Sequence, residues 1–344
     1  MARKLSSKSF KMHSLTNNRI SILPVKLIRV IWSYLFLHVI LISLYSCQGE
    51  QPSSTVSAVS NSSNDGTYIT YLRDSVIVVQ SDSITVPVQI HDYAGSQLMN
   101  PAVSPDGLQI AYTRIMNAND ARTICLMDLS TRRSNQLAVP SSNFYGPAWS
   151  PDSEWILFNI FQKKGVWKPG IIKRNNNGYR MLDSASGVNY YSPTWRSAER
   201  IAAQDLEKLY TLGLDGKIIE TILLDSLIGV DFSRSSDDRY YFTSNQKEII
   251  FQAGTQNELP DLKGPLQSVY RVRIADGKLT RLTPAGFHVR NLFVANNDRI
   301  YCEGSSAPFT EFELVELLPS GELQRWSRTG TSTSIVTKGT GSIE

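Results

Sequence analysis

Short apolar segments of strand length, separated by polar turns, follow one another along most of the chain, and one such pattern recurs at a regular spacing. Residues 147–158 read PAWSPDSEWILF. The same order of residue types begins 46 positions earlier, at Pro101 (PAVSPDGLQIAY), and 46 positions later, at Pro193 (PTWRSAERIAAQ). Weaker copies occupy residues 230–242 (VDFSRSSDDRYYF) and 291–302 (NLFVANNDRIYC). A period of about 45 residues indicates stacked supersecondary units.

Each copy predicts two short strands joined by a tight turn. In residues 147–158, Ala148 and Trp149 suit a strand, Ser150-Pro151-Asp152 supplies turn chemistry, and WILF forms a second, buried strand. A further hairpin follows each copy, so one period holds about four strands, the content of a propeller blade. The sequence therefore predicts an all-β fold, a six-bladed β-propeller of four-stranded blades.

The two ends of the repeat region predict how the ring closes. From residue 67 the chain offers three strand-like runs, YITYLR, SVIVVQ and SITVPVQI, without a preceding copy of the innermost strand. Near the other end, residues 332–337 (STSIVT) have strand character. If this segment pairs with the first blade, the open edge of the ring disappears. The alternative is a disordered tail.

The fifth period is longer than the others. Between the copy at residues 230–242 and the strand VYRVRI stand residues 245–266, which we interpret as an insertion in a loop. Loops that differ from blade to blade are the natural place for binding, so this segment is a candidate partner site.

Charge and hydropathy set the amino terminus apart. The first 29 residues contain seven basic side chains and no acidic one, and the remaining chain has 28 basic against 31 acidic residues, a net charge of −3. This argues against a nucleic-acid partner. The 17 residues 30–46 are apolar and contain no Asp, Glu, Lys or Arg, as in a secretory signal.

The end of that apolar run resembles the lipobox of bacterial lipoproteins. Leu44-Tyr45-Ser46-Cys47 places a leucine three positions and a serine one position before a cysteine. The resemblance implies cleavage before Cys47 and lipidation of its thiol, hence a membrane-tethered protein of the cell envelope, on the outer membrane facing the periplasm or the cell surface. The alternative is an uncleaved signal anchor.

These features predict four parts of the chain. They are a signal peptide (residues 1–46), a flexible Ser- and Asn-rich tether (47–66), the propeller (67–337) and a tail (338–344). Cys125 and Cys302 lie in strand-like runs of distant repeats. We interpret them as buried thiols rather than as a disulfide.

The repeat phrase, together with the strands ICLMDLSTRR and VYRVRIADGKLTRLT, resembles the WD-like repeats of the TolB propeller and of the propellers in prolyl-oligopeptidase-type enzymes. The resemblance extends over about residues 68–336 and implies the propeller fold. Function is less specific, because such repeats serve many proteins. Residues 47–66 do not read as the α/β domain that precedes the TolB propeller, and the chain has no G-x-S-x-G elbow of a propeller-bearing peptidase.

No catalytic or cofactor motif is visible in the sequence. After residue 46 it has two histidines, His91 and His288, and no HExxH, Cys-x-x-Cys, phosphate loop or EF-hand pattern. We therefore predict no cofactor, no metal and no enzymatic activity. Asp106, Asp152 and Asp237 or Asp238 recur in the turn of the repeat, where an aspartate caps the backbone.

A binding surface is easier to derive. In a propeller, the loop that leads into each inner strand and the loop between the second and third strands open on the same face, beside the central channel. Aromatic residues there could stack on sugars or grip a peptide. The candidates for this face are Phe144, Tyr145, Tyr190, Tyr191, Phe287 and His288.

Two alternatives remain open at this point. The same positions hold Leu98 and Met99 in the second blade, so packing between blades is the simpler explanation of the pattern. The sequence favours a non-catalytic protein-binding or scaffolding propeller of the envelope, similar to TolB. The second hypothesis is a propeller that binds or degrades glycans at a site over the channel. Two or three carboxylates beside His288 would favour this hypothesis.

Overall fold

The structure is a computed structural model that describes ten segments of the chain. They are residues 67–73, 76–81, 85–88, 96–116, 121–140, 143–162, 165–258, 264–295, 297–326 and 331–337. The predicted signal peptide, the tether, Cys47, His91 and the tail all lie outside the described residues.

Six antiparallel sheets account for the described residues, and each sheet is one blade. Blade 1 contains β1 (Thr67–Arg73), β2 (Val76–Gln80), β3 (Thr85–Val88) and, as its innermost strand, β25 (Thr331–Thr337). Blade 2 contains β4 (Ser96–Val103), β5 (Gln109–Met116), β6 (Ala121–Asp128) and β7 (Ser134–Gln136). Blade 3 contains β8 (Asn143–Trp149), β9 (Trp155–Phe161), β10 (Trp167–Lys173) and β11 (Arg180–Met181).

The other three blades follow the same order from the channel outwards. Blade 4 contains β12 (Tyr191–Ser197), β13 (Arg200–Gln204), β14 (Lys208–Gly213) and β15 (Ile218–Leu223). After helix α1 (Leu224–Ile228), blade 5 contains β16 (Phe232–Ser233), β17 (Tyr240–Phe242), β18 (Glu248–Glu258), β19 (Pro265–Arg273) and β20 (Leu279–Arg281). Blade 6 contains β21 (His288–Val294), β22 (Ile300–Ser305), β23 (Glu313–Leu317) and β24 (Leu323–Trp326). The predicted six-bladed propeller is confirmed.

The repeat turn is held by its serine and aspartate. In blade 3, the Ser150 hydroxyl donates to Asp152 (2.5 Å), and the same hydroxyl accepts the backbone N–H of Trp155 (2.8 Å). In blade 2, Ser104 donates to Asp106 in the same way. A polar side chain that replaces missing backbone partners stabilises a tight turn, so Asp106 and Asp152 have the capping role expected of them.

The repeat tryptophans join neighbouring blades. Trp149 Nε1 donates to the carbonyl of Ala102 in blade 2 (2.8 Å), and Trp195 Nε1 donates to the carbonyl of Ala148 in blade 3 (3.0 Å). Trp149 is buried in the cluster between blades 2 and 3. The apolar repeat positions thus form cores between blades, and the indole N–H groups satisfy carbonyls of the inner strands.

The ring closes through its two chain ends, as predicted. β25 pairs antiparallel with β1, with Thr67 opposite Thr337 and Ile69 opposite Ile335. Ile335 is buried in the cluster between blades 6 and 1. Closure removes the inner edge that blade 1 would otherwise expose.

Blade 5 departs from the prediction in its register. The copy read at residues 230–242 is wrong, because β16 and β17 both pair with β18 and together form the inner strand. The true turn follows β17. There Thr243 donates its hydroxyl to Asn245 (2.9 Å) and accepts the N–H of Glu248 (3.1 Å), the bonding pattern of Ser150 and Asp152. Asp237 and Asp238 therefore lie between β16 and β17, within the inner strand, and not in the repeat turn.

The predicted insertion at residues 245–266 is also wrong. Half of this segment is β18, whose Ile249, Ile250 and Phe251 are buried core residues. The extra length of blade 5 lies in the β18–β19 hairpin, which continues to the pair Glu258 and Pro265. Helix α1 was not predicted, and its Leu224 is buried against blades 4 and 5.

Two smaller points concern cysteines and membranes. Cys125 and Cys302 are buried thiols in blades 2 and 6, as interpreted from the sequence. No helix among the described residues combines the length and the apolarity that a bilayer crossing requires.

Candidate functional site

The propeller has two faces, which we name by their connections. The turn face carries the turns between first and second strands, such as the one around Ser150. The loop face carries the connections that lead into the inner strands and the loops between second and third strands, such as residues 183–190 and 162–166. The sequence predicts that its six candidate residues lie on the loop face.

Near the loop face the inner strands are interrupted by β-bulges just before the repeat proline. Pairing shifts between Met99 and Ala102 in β4, and Asn100 has a positive φ of 50°. Ser192 in β12 has a φ of 42° at the equivalent position. β8 has Gly146 there, and a Cβ on Gly146 would lie 2.2 Å from the Cβ of Asn100. The bulges re-aim side chains, so Asn100 and Ser192 line the central channel.

The channel narrows behind this rim. Its middle part encloses a cavity of about 150 Å³, which is lined by residues of the inner strands, including Trp149, Trp195, Tyr241 and Phe293. Towards the loop face it opens into a mouth of about 460 Å³. The polar residues of the mouth are Asn100, Ser192, Asp237, Asp238, Arg239, Gln252, Arg290, Asn291 and Thr333.

Asp238 is a buried carboxyl group at the mouth. Its side chain is 5% exposed, and its Oδ2 accepts the backbone N–H of Ser235 (2.6 Å). Burial raises the pKa of Asp238 from 3.8 to about 7, the Ser235 N–H acts in the opposite direction, and the charge of Asp237 adds to the rise. Asp238 therefore exchanges its proton near neutral pH.

Arg239 differs from Arg196 and Arg299 in its partners. Arg196 pairs with Glu220, and Arg299 pairs with Glu316. Arg239 is half-buried and lines both the mouth and the narrow part of the channel. Among the described residues it has neither a hydrogen bond nor an ion pair.

An aromatic cluster stands beside the mouth on blade 6. The His288 ring makes edge contacts with Phe309 and Phe312, both at 6.0 Å between centroids. Arg290, which lines the mouth, stacks its guanidinium over Phe312 at 5.7 Å. The Nδ1 atom of His288 accepts the backbone N–H of Gln267 (3.2 Å), and burial lowers the pKa of His288.

The six predicted face residues do not form one surface. Tyr190 is fully buried and donates its hydroxyl to Asp183 (2.6 Å), and Phe287 is buried in the core between blades 5 and 6. Tyr191 is half-buried at the start of β12. Phe144 and Tyr145 lie in β8, and only the backbone of these two residues is described.

His288 is the predicted residue that joins a candidate surface, through Phe309 and Phe312. Asp237 and Asp238 do converge on the mouth, but His288 is not among the residues that line it. Among the described residues, no group of three His, Cys, Asp or Glu side chains is placed to hold a metal ion.

Sequence reasoning missed Arg239, Arg290, Phe309 and Phe312. Phe309 and Phe312 could have been found as aromatic residues in the loop between the second and third strands of blade 6, which the same topological rule puts on the loop face. Arg239 carries no such signal, because its position depends on the corrected register of blade 5.

Comparisons with known proteins agree with this fold. The sequence profile of the prolyl oligopeptidase N-terminal beta-propeller domain matches residues 91–180. The Tol-Pal system protein TolB of Hydrogenovibrio crunogenus is 32% identical over 103 residues, which are 30% of this chain and 22% of that protein. The match thus spans about a fifth of the length of this curated relative.

Two solved structures share the fold. The crystal structure of TolB from Acinetobacter baumannii superposes with a TM-score of 0.55 at 16% identity, over 78% of this chain and 66% of that one. An oligogalacturonate lyase solved in complex with manganese gives a TM-score of 0.52 at 13% identity, over 75% and 72% of the two chains. Sequence and fold together show a six-bladed β-propeller that is similar to TolB and to the propeller domain of prolyl oligopeptidases.

Proposed function

We propose that this chain is a lipid-anchored, non-catalytic protein-binding module of the bacterial cell envelope, which holds its partner on the loop face. The observation that carries the proposal is the mouth of the channel. Charged groups (Arg239, Arg290 and Asp237) and the aromatic cluster of blade 6 meet there on a closed, rigid ring. A rigid ring presents such groups to a partner with little loss of conformational entropy.

The comparisons support an envelope protein as the partner. The similar protein of Hydrogenovibrio crunogenus is a Tol-Pal system protein. The apolar run and the lipobox-like Leu44-Tyr45-Ser46-Cys47 support export and a lipid anchor at Cys47, with the propeller held at the outer membrane. Two chains anchored in one envelope meet at a raised effective concentration, so moderate affinity suffices.

The surroundings of the titratable groups support a binding role over a catalytic one. His288 has its Nδ1 atom bound to a backbone N–H of blade 5, and its ring is enclosed by phenylalanines. Asp238 is held by Ser235 at the mouth, which His288 does not line. A general acid–base pair needs both groups within reach of the same substrate atoms, or of one bridging water.

The partner is tested by crosslinking in living cells. A photo-crosslinking phenylalanine analogue replaces Phe312 on the loop face, and the control replaces Leu108, which is 52% exposed at the turn-face turn of blade 2. We expect one envelope protein to be captured from position 312 and not from position 108, and a reciprocal crosslink from that protein. Equal capture from both faces, or polysaccharide as the sole bound material, would contradict the proposal.

The anchor is tested separately. Cells fed a clickable fatty acid are expected to label the wild-type chain and not Cys47→Ser, which should also fail to be processed by the lipoprotein signal peptidase. Labelling that persists in Cys47→Ser would exclude this cysteine as the lipid site.

A further inference from the structure

The outer strand of blade 4, β15, is a long apolar edge of the ring. Its six residues read IIETIL, and on its outer side it pairs with no strand among the described residues. The side chains of Ile218, Ile219 and Leu223 are 46%, 52% and 53% exposed. A strand edge that combines free backbone groups with exposed apolar side chains is a template for pairing with another chain.

The outer strands of the other blades have features that oppose such pairing. β7, β11 and β20 contain only two or three residues, β3 contains Pro87, and β24 contains Arg325. The one charged residue of β15 is Glu220, whose carboxylate is bonded to Arg196. A β-bulge at Ile219 interrupts the start of β15, but residues 220–223 pair regularly with β14. Blade 4 therefore offers the edge that is best suited to add a strand.

The direction of the backbone groups limits what can pair with this edge. The N–H of Leu224 donates to the carbonyl of Glu207 (2.9 Å), in register with the β14–β15 pair. Backbone groups of an antiparallel strand point alternately to one side and the other, so those of Thr221 and Leu223 point to the free edge. A second copy of β15, related by a two-fold axis at Thr221, presents the same groups. The two Thr221 residues then exchange both N–H···O bonds.

The side chains of β15 are complementary to themselves in this register. Ile219 lies opposite Leu223 of the second copy, and the axis repeats this pair, so an apolar stripe forms on one face of the joined sheet. Glu220 lies opposite an isoleucine, so no like charges meet. Lys217 of one copy approaches the end of the strand next to Asp225 of the other, and these opposite charges are 84% and 63% exposed.

We propose that the chain forms a two-fold symmetric dimer through β15, in which the four-stranded blades 4 of two copies join into one continuous sheet. The dimer goes beyond the proposed function, because its contact lies on the outside of the ring and leaves the mouth free. The antiparallel axis directs the two loop faces in opposite directions. One strand covers less than the roughly 800 Å² per partner of a standard interface, so the dimer is reversible and depends on concentration.

Crosslinking tests the register of the dimer. Residues of a hydrogen-bonded antiparallel pair have Cα atoms about 5.5 Å apart. We therefore expect a short thiol-to-thiol crosslinker, added to intact cells, to trap full-length Thr221→Cys as a covalent dimer. The matched control is Thr280→Cys, an exposed threonine in the middle of β20, the outer strand of blade 5. This control and the wild type, which share the natural cysteines, should stay monomeric.

A charge at the two-fold axis tests whether the edge drives association. Thr221→Lys places two like charges directly opposite each other across the axis. In sedimentation of the full-length chain in detergent, the wild type should pass from monomer to dimer as its concentration rises. Thr221→Lys should need about tenfold more protein or above for the same fraction of dimer, and Thr280→Lys should sediment like the wild type. Because both threonines are exposed, the three proteins should melt at the same temperature when dilute.

Several outcomes would overturn the inference. They are a wild type that stays monomeric up to about 100 μM, a dimer that persists unchanged in Thr221→Lys, equal trapping of Thr221→Cys and Thr280→Cys, and capture of a different protein from position 221. If Thr221→Lys melted at a lower temperature, the trapping of Thr221→Cys would decide alone. The proposed function is judged separately, because a crosslink from position 312 that persists in Thr221→Lys cells supports the loop-face partner whether or not the dimer forms.

Discussion

Replacing Asp238 by asparagine should make the propeller more stable at neutral and alkaline pH, and the gain should disappear in acid. The carboxyl is 5% exposed, and burial raises its pKa from 3.8 to about 7. Between these two values the folded protein keeps a proton that the unfolded chain has released. The free energy of unfolding therefore falls as the pH rises through this range, and the loss is complete above pH 7.

The size of this loss of stability follows from the difference between the pKa of Asp238 in the unfolded chain and in the folded protein. Each pH unit between 3.8 and about 7 costs about 1.4 kcal/mol, so ionised Asp238 destabilises the fold by up to about 4 kcal/mol. This is a large share of the roughly 5–15 kcal/mol that holds a domain folded. An asparagine at this position stays neutral, and its side-chain oxygen can still accept the N–H of Ser235.

Urea unfolding followed by tryptophan fluorescence at pH 4, 5, 6, 7 and 8 measures the effect. The free energy of unfolding of Asp238→Asn minus that of the wild type should be near zero at pH 4, and it should rise to its plateau near pH 7. Other titrating groups occur in both proteins and cancel in this difference. A difference that is constant with pH would refute the reasoning.

A neighbouring variant separates the two causes of the raised pKa. Asp237→Asn removes the adjacent charge and leaves the burial of Asp238 unchanged. Because burial is the larger cause, Asp237→Asn should retain most of the pH dependence of the wild type. If it abolished that dependence, charge repulsion rather than burial would control Asp238.

Three further predictions concern the ring itself. Deleting residues 331–344 should lower the melting temperature sharply, because β1 loses β25, whereas deleting residues 338–344 should change it little; equal effects would contradict closure by β25. Gly146→Ala should cost about 1–3 kcal/mol, since its Cβ would lie 2.2 Å from the Cβ of Asn100. Gly187→Ala, which meets nothing within 4 Å, is the matched control in the same denaturation assay. Trp149→Phe should cost about 1–3 kcal/mol, because the buried carbonyl of Ala102 loses its donor, and an unchanged denaturation midpoint would argue against that role.

The repeat made most of the fold predictable. In blades 2 and 3 the serine and aspartate of the turn are two positions apart in sequence, and their hydrogen bonds are local, so the pattern reports them directly. Closure was predictable for a similar reason. Blade 1 lacks an inner strand, and a strand of the right length remains at the other end of the chain.

Blade 5 shows where the pattern fails. The residues VDFSRSSDDRYYF imitate the repeat, but Thr243 and Asn245 form the turn, since only there does the bonding geometry of Ser150 and Asp152 recur. Turn residues are polar in both places, so composition alone does not distinguish them. Because the turn lies one strand later than the sequence predicts, Asp238 is a buried group of the mouth and not the expected cap of the repeat turn.

The candidate site divides in the same way. The sequence by itself determined the architecture and the turn roles of Asp106 and Asp152, because each depends on contacts that repeat with the period of the blade. Only the tertiary structure decided that Tyr190 is buried and that Arg239 and Thr333 share one cavity. The physical reason is that the channel is built from one strand of every blade, so its lining combines residues up to hundreds of positions apart, and no local pattern records which of them lack a partner.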